Sequence, residues 1–292
     1  MSSFKLKNKI FQYLAIGGKF YINKQGRGDG ILMKGVLYYF SGTGNTKWVA
    51  DRFKDIFKLY GIYIELINIE FERPINIKCY DFVIIGSVVH SNMEPKIVSD
   101  FLKRLPDTKK KMKTIIYSTQ GGKSSASVSS MTKKIAQKGY DVVIQSSIRM
   151  PNNCYFISGK KTTKKEEDEM LKNASEKVEK LIKTFIDNKR LKQRNLIFKI
   201  GIGRISNKLF KNSLPKLSKN FTATKGCEKC GLCLRNCPKN NITFEDGHAV
   251  FHSKCMLCLR CIHICPINGI RYKNKKIEQV QKDRINFLNL NK

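Results

Sequence analysis

Residues 36–46 are VLYYFSGTGNT, an apolar run followed by a turn rich in glycine and hydroxyl side chains. The apolar run predicts a buried strand over residues 36–40. Side chains spaced for one face of a helix come next: Trp48, Val49, Phe53, Ile56 and Phe57. The turn therefore joins a strand to the start of a helix. Backbone N–H groups at the positive end of the helix dipole can bind a phosphate there.

The turn also carries side chains that can donate hydrogen bonds to an anion. The candidate phosphate-binding residues are Ser41, Gly42, Thr43, Gly44, Asn45 and Thr46. No lysine follows the second glycine as in a P-loop, and the G-x-G-x-x-G dinucleotide pattern is absent. The pattern therefore favours a terminal monophosphate. A tight strand-to-helix turn without a ligand is the alternative.

Four further apolar runs alternate with amphipathic segments downstream of this turn. We predict strands at residues 62–69, 80–86, 113–118 and 141–147. Strands alternating with helices predict an α/β fold, here a doubly wound five-stranded parallel sheet. In the strand order 2-1-3-4-5, the loops after strands one, three and four meet at the carboxyl edge of the sheet.

Residues 33–187 resemble a short flavodoxin-like domain through the turn at 41–46 and the two loops that would lie beside it. The resemblance implies FMN, with its phosphate on the turn and its ring between the two loops. The loop residues are Ser87, Val88, Val89, His90 and Ser91 after strand three, and Thr119, Gln120, Gly121 and Gly122 after strand four.

Flavodoxins often hold the flavin ring between aromatic side chains, but the two predicted ring loops contain only His90. His90 could stack on the ring, donate a hydrogen bond near it, or be an exposed loop histidine. The phase of Trp48 with Phe53 favours core packing for that side chain. We expect Cys79 and Cys154 to be idle thiols, although Cys154 could approach the flavin edge.

The carboxyl-terminal part of the chain holds eight of its ten cysteines. The spacing C-x2-C-x2-C-x3-C-P occurs twice, and the second copy starts 28 residues after the first. This spacing is typical of [4Fe–4S] clusters. Zinc is the alternative, but zinc motifs usually separate two CxxC pairs by a dozen or more residues. The candidate metal ligands are Cys227, Cys230, Cys233, Cys237, Cys255, Cys258, Cys261 and Cys265.

Residues 222–272 resemble a bacterial-type two-cluster ferredoxin on these motifs. The resemblance implies a small α+β domain over residues 221–292, including a carboxyl-terminal tail. In such ferredoxins the fourth cysteine of each motif ligates the other cluster. Cluster one would then be held by Cys227, Cys230, Cys233 and Cys265. Cluster two would be held by Cys255, Cys258, Cys261 and Cys237. Between the motifs, Asp246-Gly247 predicts a hairpin turn.

Two basic segments complete the predicted organisation. Residues 1–32 are interpreted as a basic extension, and residues 188–220, with ten Lys or Arg and no Asp or Glu, as a basic linker. The linker could instead dock on an acidic protein, a lipid surface or nucleic acid. Nucleic acid is the least favoured partner, because no DNA-binding motif accompanies the charge.

The net charge of +33 by itself argues weakly for any particular partner. No apolar run approaches the length of a membrane span, and the clustered cysteines suggest a reducing compartment. We therefore expect a cytoplasmic protein without a membrane span. Its expected partner is a redox protein, and the basic charge is compatible with an acidic one.

The chain as a whole resembles the flavodoxin–ferredoxin fusion proteins of anaerobic bacteria and archaea. This resemblance implies an electron-transfer protein that passes single electrons between two [4Fe–4S] clusters and FMN, and on to a redox partner. One alternative is an FMN-dependent reductase of a small molecule, fed by its own clusters. A second is a redox-sensing regulator that binds nucleic acid or an acidic protein. Whether the chain is an enzyme or a carrier is left open by the sequence.

Overall fold

The computed structural model of the chain describes residues 33–290, except residues 72, 123–125, 158, 194–196 and 289. The extension predicted at residues 1–32 lies outside the described residues. We call residues 33–193 the sheet module and residues 219–288 the cysteine module.

The sheet module contains five parallel strands in the order β2-β1-β3-β4-β5. They are β1 (Met33–Tyr39), β2 (Ile62–Asn68), β3 (Phe82–Val88), β4 (Met112–Gln120) and β5 (Tyr140–Arg149). The fold class predicted from the sequence is confirmed. Strands β3 and β4 extend two residues beyond the predicted ends, so Ser87, Val88, Thr119 and Gln120 lie in strand ends rather than in loops.

Helices cover both faces of the sheet. They are α1 (Asn45–Leu59), α2 (Lys96–Arg104), α3 (Ser127–Ala136) and α4 (Lys164–Ile186). Helices α1 and α4 pack on one face and α2 and α3 on the other. Successive residues of a strand point to opposite faces, so Leu37 joins the first core while Val36 and Tyr38 join the second. Apolar strands buried on both faces are typical of parallel sheets.

The cysteine module consists of short elements in two similar halves. They are β6 (Phe221–Ala223), α6 (Leu232–Arg235), β7 (Ile242–Glu245), β8 (His248–Phe251), α7 (Arg260–Ile264), β9 (Ile270–Tyr272), β10 (Lys275–Lys276) and α8 (Lys282–Ile285). Strands β7 and β8 form the predicted hairpin. Asp246 and Gly247 both have positive φ, 47° and 76°, as the favoured two-residue hairpin turn requires.

The segment predicted to be a basic linker contains a 22-residue helix, α5 (Ile197–Ser218). One side of α5 faces the sheet module, where Asn207 is buried, and Phe210, Leu214 and Leu217 pack against the core of the cysteine module. Just before the helix, Leu191 pairs with the edge strand β5. No helix was predicted here, because the abundant basic residues concealed the helical spacing of the apolar ones.

The segment after β5 also connects the two modules. Cys154, Tyr155, Phe156 and Ile157 pack into the core of the cysteine module. The Phe156 ring lies 5.2 Å from the ring of Tyr272, centroid to centroid, in an edge-to-face arrangement. The aromatic contacts therefore hold the modules together next to the carboxyl edge of the sheet. No helix among the described residues combines the length and the apolar character needed to cross a lipid bilayer.

Candidate functional site

The predicted phosphate loop, residues 41–46, lies between β1 and α1. Hydrogen bonds to the Ser41 hydroxyl fix its conformation. The hydroxyl of Ser41 accepts hydrogen bonds from the backbone N–H groups of Gly44, at 3.2 Å, and Lys47, at 3.3 Å. Gly44 has φ 102°, a left-handed conformation that L side chains rarely adopt. The first N–H groups of α1 have no acceptor within the helix, as at every helix start. The loop thus presents backbone donors at the positive end of a helix.

The side chains of the loop are held by partners far away in the sequence. Thr43 Oγ1 accepts a hydrogen bond from Asn153 Nδ2 at 2.6 Å, which leaves the Thr43 hydroxyl hydrogen free to donate. Thr46 Oγ1 and Thr119 Oγ1 lie 2.7 Å apart and share a hydrogen bond, so one of their two hydrogens remains. Asn45 Nδ2 donates to the Pro151 carbonyl at 3.0 Å. This donor set fits a phosphate held by neutral groups.

A cleft of about 1,220 Å³ opens above this loop at the carboxyl edge of the sheet. It brings together thirteen of the fifteen predicted FMN-binding residues: Ser41, Gly42, Thr43, Asn45, Thr46, Val88, Val89, His90, Ser91, Thr119, Gln120, Gly121 and Gly122. The other two do not line it. Gly44 is turned toward the Arg284 carbonyl, and the Ser87 hydroxyl donates to the carbonyl of Val88.

Several residues that line the cleft were missed by the sequence analysis. From the sheet module they are residues 150–153, which follow β5; Cys154, expected as a residue that could approach the flavin edge, lines the cleft beside them. Helix α5 contributes Phe210, and the second cysteine motif contributes Leu257, Cys258 and Leu259. The position of the 150–154 loop could have been anticipated, because all five parallel strands end at the same edge. No local pattern indicates the contributions from α5 and the cysteine module.

His90 does not lie free in the cleft. Its ring is 6.1 Å from the ring of Phe210 in an edge-to-face arrangement, and its backbone carbonyl accepts a hydrogen bond from Asn207 Nδ2 at 2.7 Å. Burial, with a smaller effect of the nearby Lys211 charge, lowers the pKa of His90 to about 4. The imidazole is therefore neutral near pH 7. Helix α5 covers this loop and places an aromatic ring, that of Phe210, against His90.

The other residues discussed from the sequence have simple surroundings. Trp48 is partly buried against the core between α1 and the sheet, and the guanidinium of Arg52 lies 5.7 Å from its ring centre. Cys79 is exposed. Cys154 lines the cleft, and burial raises the pKa of its thiol to about 11, so it is a neutral thiol near pH 7.

The eight clustered cysteines line two separate cavities in the cysteine module. Cavity one is lined by Cys227, Cys230, Cys233 and Cys265. Cavity two is lined by Cys237, Cys255, Cys258 and Cys261. This crossed grouping is the one that the ferredoxin resemblance implies. In the described part of the chain, no three His, Cys, Asp or Glu side chains converge closely enough to qualify as a site for one metal ion.

The thiols of each cavity interact electrostatically. Burial, and then the neighbouring Cys265, Cys227 and Cys230, raise the pKa of Cys233 to about 11. Burial is also the main reason that the pKa of Cys258 rises to about 12, although nearby Arg260 opposes it. Iron binds the thiolate form, so a cluster bound in either cavity would displace the protons of these grouped thiols.

Backbone amides already point at some of the sulfur atoms. The N–H groups of Asn241 and Gly269 donate to Cys237 Sγ at 3.3 Å and to Cys265 Sγ at 3.1 Å. The N–H of Leu257 donates to Cys255 Sγ at 3.3 Å. Such hydrogen bonds stabilise thiolate charge and tune the potential of an iron–sulfur cluster. The donor set therefore fits two cubane clusters.

Cavity two and the cleft share a wall. Cys258 lines both, and its backbone carbonyl approaches Gly42 so closely that a Cβ at position 42 would lie 2.5 Å from the oxygen. Cavity one has no residue in common with the cleft. The phosphate loop thus packs directly against the backbone of a predicted cluster ligand.

No protein-family model matches this chain, and no curated protein matches it. Solved structures with some likeness include a flavodoxin from the domain Archaea, which is 16% identical with a TM-score of 0.36. The likeness covers 51% of this chain and 99% of that one.

Two bacterial proteins show a similar degree of likeness. Megasphaera elsdenii flavodoxin is 21% identical with a TM-score of 0.37, and the match covers 49% of this chain and 98% of that one. Flavodoxin 2 from Bacillus cereus is 17% identical with a TM-score of 0.39, and the match covers 52% of this chain and 99% of that one.

Proposed function

We propose that this chain is an electron-transfer protein that passes single electrons between two [4Fe–4S] clusters and FMN, and on to a redox partner. The observation that carries the proposal is the shared wall. Cys258 lines both a cavity of four cysteines and a cleft that contains a phosphate-binding loop. Two cofactors held on either side of one residue are close enough to exchange electrons directly.

The residues of the cleft support FMN in particular. The backbone N–H groups and hydroxyls of residues 41–46 would hold its phosphate, and His90, Gly121 and Gly122, which line the same cleft, would lie beside its ring. When bound, FMN supplies a centre that can exchange electrons one or two at a time. Phe210 supplies an aromatic surface for stacking.

The two cavities have different positions in the proposed electron path. Cavity two adjoins the cleft, whereas cavity one includes Cys230, which is exposed to solvent. We infer that the redox partner docks beside Cys230. Two exposed lysines, Lys225 and Lys229, precede Cys230 within five residues of chain, against one exposed carboxylate, Glu228, and favour an acidic docking surface.

The test is anaerobic purification of the full chain followed by iron, sulfide and flavin analysis. We expect about eight iron and eight sulfide ions per chain, the content of two [4Fe–4S] clusters, together with about one FMN. Stepwise reduction followed by absorbance and electron paramagnetic resonance should then show two interacting clusters and the flavin. Reconstituted protein that is colourless and free of iron would overturn the proposal.

The size of the cleft favours a second candidate function, reduction of a small molecule at FMN. Its volume of about 1,220 Å³ exceeds the usual range of ligand pockets, about 300–1,000 Å³, and leaves room for a substrate beside a flavin. Basic side chains outnumber carboxylates in the cleft lining, with Arg149, Lys160, Lys161 and Lys177 against Glu166 and Glu169, and would favour an anionic substrate. Oxidation of the reduced protein that accelerates with the concentration of one small acceptor would establish this function.

A further inference from the structure

Arg260 is a buried arginine of the second cysteine motif, and its guanidinium reaches across to the sheet module. The residue is 3% exposed and lies between Cys258 and Cys261. Its Nε donates to the Gly42 carbonyl at 3.1 Å, and its Nη2 donates to the Ser41 carbonyl at 2.9 Å. A residue beside two predicted cluster ligands thus holds two consecutive carbonyls of the phosphate loop.

The remaining donors of Arg260 are also in use. Nη1 and Nη2 donate to the two carboxylate oxygens of Glu70, at 2.6 and 2.5 Å, and Nη1 also donates to the Asn236 carbonyl at 3.2 Å. A guanidinium has five N–H groups, so every one has an acceptor. No donor is left for a ligand, and the charge is balanced by a carboxylate that is itself almost buried. Arg260 can therefore influence the cleft only through the loop.

The geometry of the peptide bond shows what this influence is. In a trans peptide the C=O and the N–H point in opposite directions, and the described residues contain no cis peptide. The Ser41 carbonyl shares a peptide with the Gly42 N–H, and the Gly42 carbonyl shares one with the Thr43 N–H. Because Arg260 holds both oxygens on its side, the N–H groups of Gly42 and Thr43 point away from it. Both residues line the cleft.

We propose that Arg260 is a positioning residue that orients the Gly42 and Thr43 amides toward the flavin phosphate, so that the phosphate site is complete only when the second cysteine motif is folded in place. The proposal rests on the proposed function, because it assumes FMN in the cleft. Flavin binding then depends on Arg260, which lies between two cysteines of cavity two, Cys258 and Cys261.

The first cysteine motif provides the comparison within the same molecule. The residue at the position of Arg260 in that motif, 28 residues earlier, is Leu232. Arg235, three residues beyond Leu232, is exposed, and its Nη1 donates to the carbonyl of Cys230 in its own motif. Arg235 is therefore a suitable control: it is a motif arginine that bonds a backbone carbonyl but does not reach the phosphate loop.

The experiment compares binding of FMN and of riboflavin, which lacks the phosphate, to the full chain after removal of flavin and anaerobic reconstitution of iron. The variants are R260K, E70Q and the control R235K. Lysine keeps the charge but cannot bond both carbonyls and the carboxylate in the same geometry. We expect R260K to weaken FMN binding at least about tenfold, as for one lost charge-assisted hydrogen bond, and riboflavin binding by less than about threefold.

E70Q provides a second test because Glu70 lies in the sheet module, outside both cysteine motifs. It loosens Arg260 without changing a residue near the clusters, and we expect a smaller loss that is again specific to FMN. R235K should bind both flavins like the unchanged protein. Iron and sulfide content should be normal in E70Q and R235K, and the same measurement on R260K shows whether cavity two is still filled.

The outcomes separate this proposal from the proposed function. If the unchanged protein binds neither flavin, the proposed function fails and this inference fails with it. If the unchanged protein binds FMN but R260K and E70Q bind it equally well, the positioning role alone is overturned. Equal losses of FMN and riboflavin affinity in E70Q, with normal iron content, would also overturn it, because a general disturbance of the cleft would then explain the effect.

Discussion

The two halves of the cysteine module have the same backbone but different surroundings. Residues 28 positions apart share left-handed conformations: φ is 54° at Lys229 and 58° at Leu257, and 74° at Gly231 and 63° at Leu259. The fourth cysteine of each motif accepts a hydrogen bond from the backbone N–H four residues later. The repeated sequence pattern therefore builds the same loop and the same ligand arrangement twice.

The halves differ in what covers them. Cys230 of the first motif is exposed, whereas the equivalent Cys258 lies at the wall between cavity two and the cleft. Leu232 of the first motif corresponds to Arg260 of the second, which bonds the phosphate loop. A repeat thus sets the local geometry, while single residues that break the repeat decide which half docks on the sheet module.

The largest expected effect follows from replacing one ligand in each half, C258S and C230S. Each variant should lose about half of the iron, because each of the two proposed [4Fe–4S] clusters needs four cysteine ligands. Only C258S should also weaken FMN binding. It removes a ligand from the second cysteine motif, which carries Arg260. Iron analysis and FMN titration of the purified proteins measure both effects.

The control for these ligands is C79S, because Cys79 is exposed and lines neither cavity. It should retain full iron content and FMN affinity. Equal FMN affinities for C258S and C230S, with half of the iron lost from each, would contradict the difference between the halves that we draw from the structure.

Gly42 tests the contact between the modules. A Cβ at this position would lie 2.5 Å from the backbone oxygen of Cys258, so G42A must push the cysteine module away from the loop. Overpacking of this kind typically costs about 1–3 kcal/mol, which should lower the melting temperature by several degrees. Gly226, just before the first motif, is the control, since nothing lies within 4 Å of a Cβ there. An unchanged melting temperature in G42A would show that the contact is not maintained in solution.

The stability of the fold should depend on pH through His90, in the loop that α5 covers. The pKa of His90 is about 4 in the folded chain, below the value of about 6.5 expected when unfolded. The unfolded state therefore binds the extra proton between these values, and stability falls as pH decreases from 6.5 toward 4. The unchanged protein should lose up to about 2 kcal/mol more than H90N between pH 7 and pH 5. Urea unfolding at the two pH values measures the difference.

The control for His90 is H248N, because His248 is an exposed residue of the hairpin in the cysteine module. Its acid sensitivity should match that of the unchanged protein. If H90N is as sensitive to acid as the unchanged protein, then the His90 imidazole is protonated in the fold and its contact with Phe210 is not the one described.

The smallest effect is expected from F210A. Removing this ring should weaken both FMN and riboflavin by roughly threefold to tenfold, the range of a lost aromatic contact of about 0.5–1.5 kcal/mol. This pattern is the opposite of the FMN-specific loss expected for R260K. The neighbouring Leu209 is 65% exposed, so L209A should leave both affinities unchanged. A loss confined to FMN in F210A would place the ring near the phosphate instead.

The residues brought together in the cleft were predictable where they are close in sequence. Residues 41–46 form a turn that a strand, two glycines and a helix start determine locally, and thirteen of the fifteen predicted residues line the cleft. The prediction failed for α5, because its apolar residues are interrupted by basic ones in a strongly basic chain. The loop that offers His90 as its one aromatic side chain packs against Phe210, more than a hundred residues away.

The sequence by itself determined the five strands, the glycine-containing turn at residues 41–46 and the grouping of cysteines into two repeated motifs. These features depend on the period of apolar residues and on short spacings, which are local properties. Only the tertiary structure decided that Asn153 bonds Thr43, and that Arg260 bonds Ser41 and Gly42 across more than two hundred residues. In a chain with 56 Lys and Arg residues, a buried arginine has no local signature, because its burial results from how the two modules pack together.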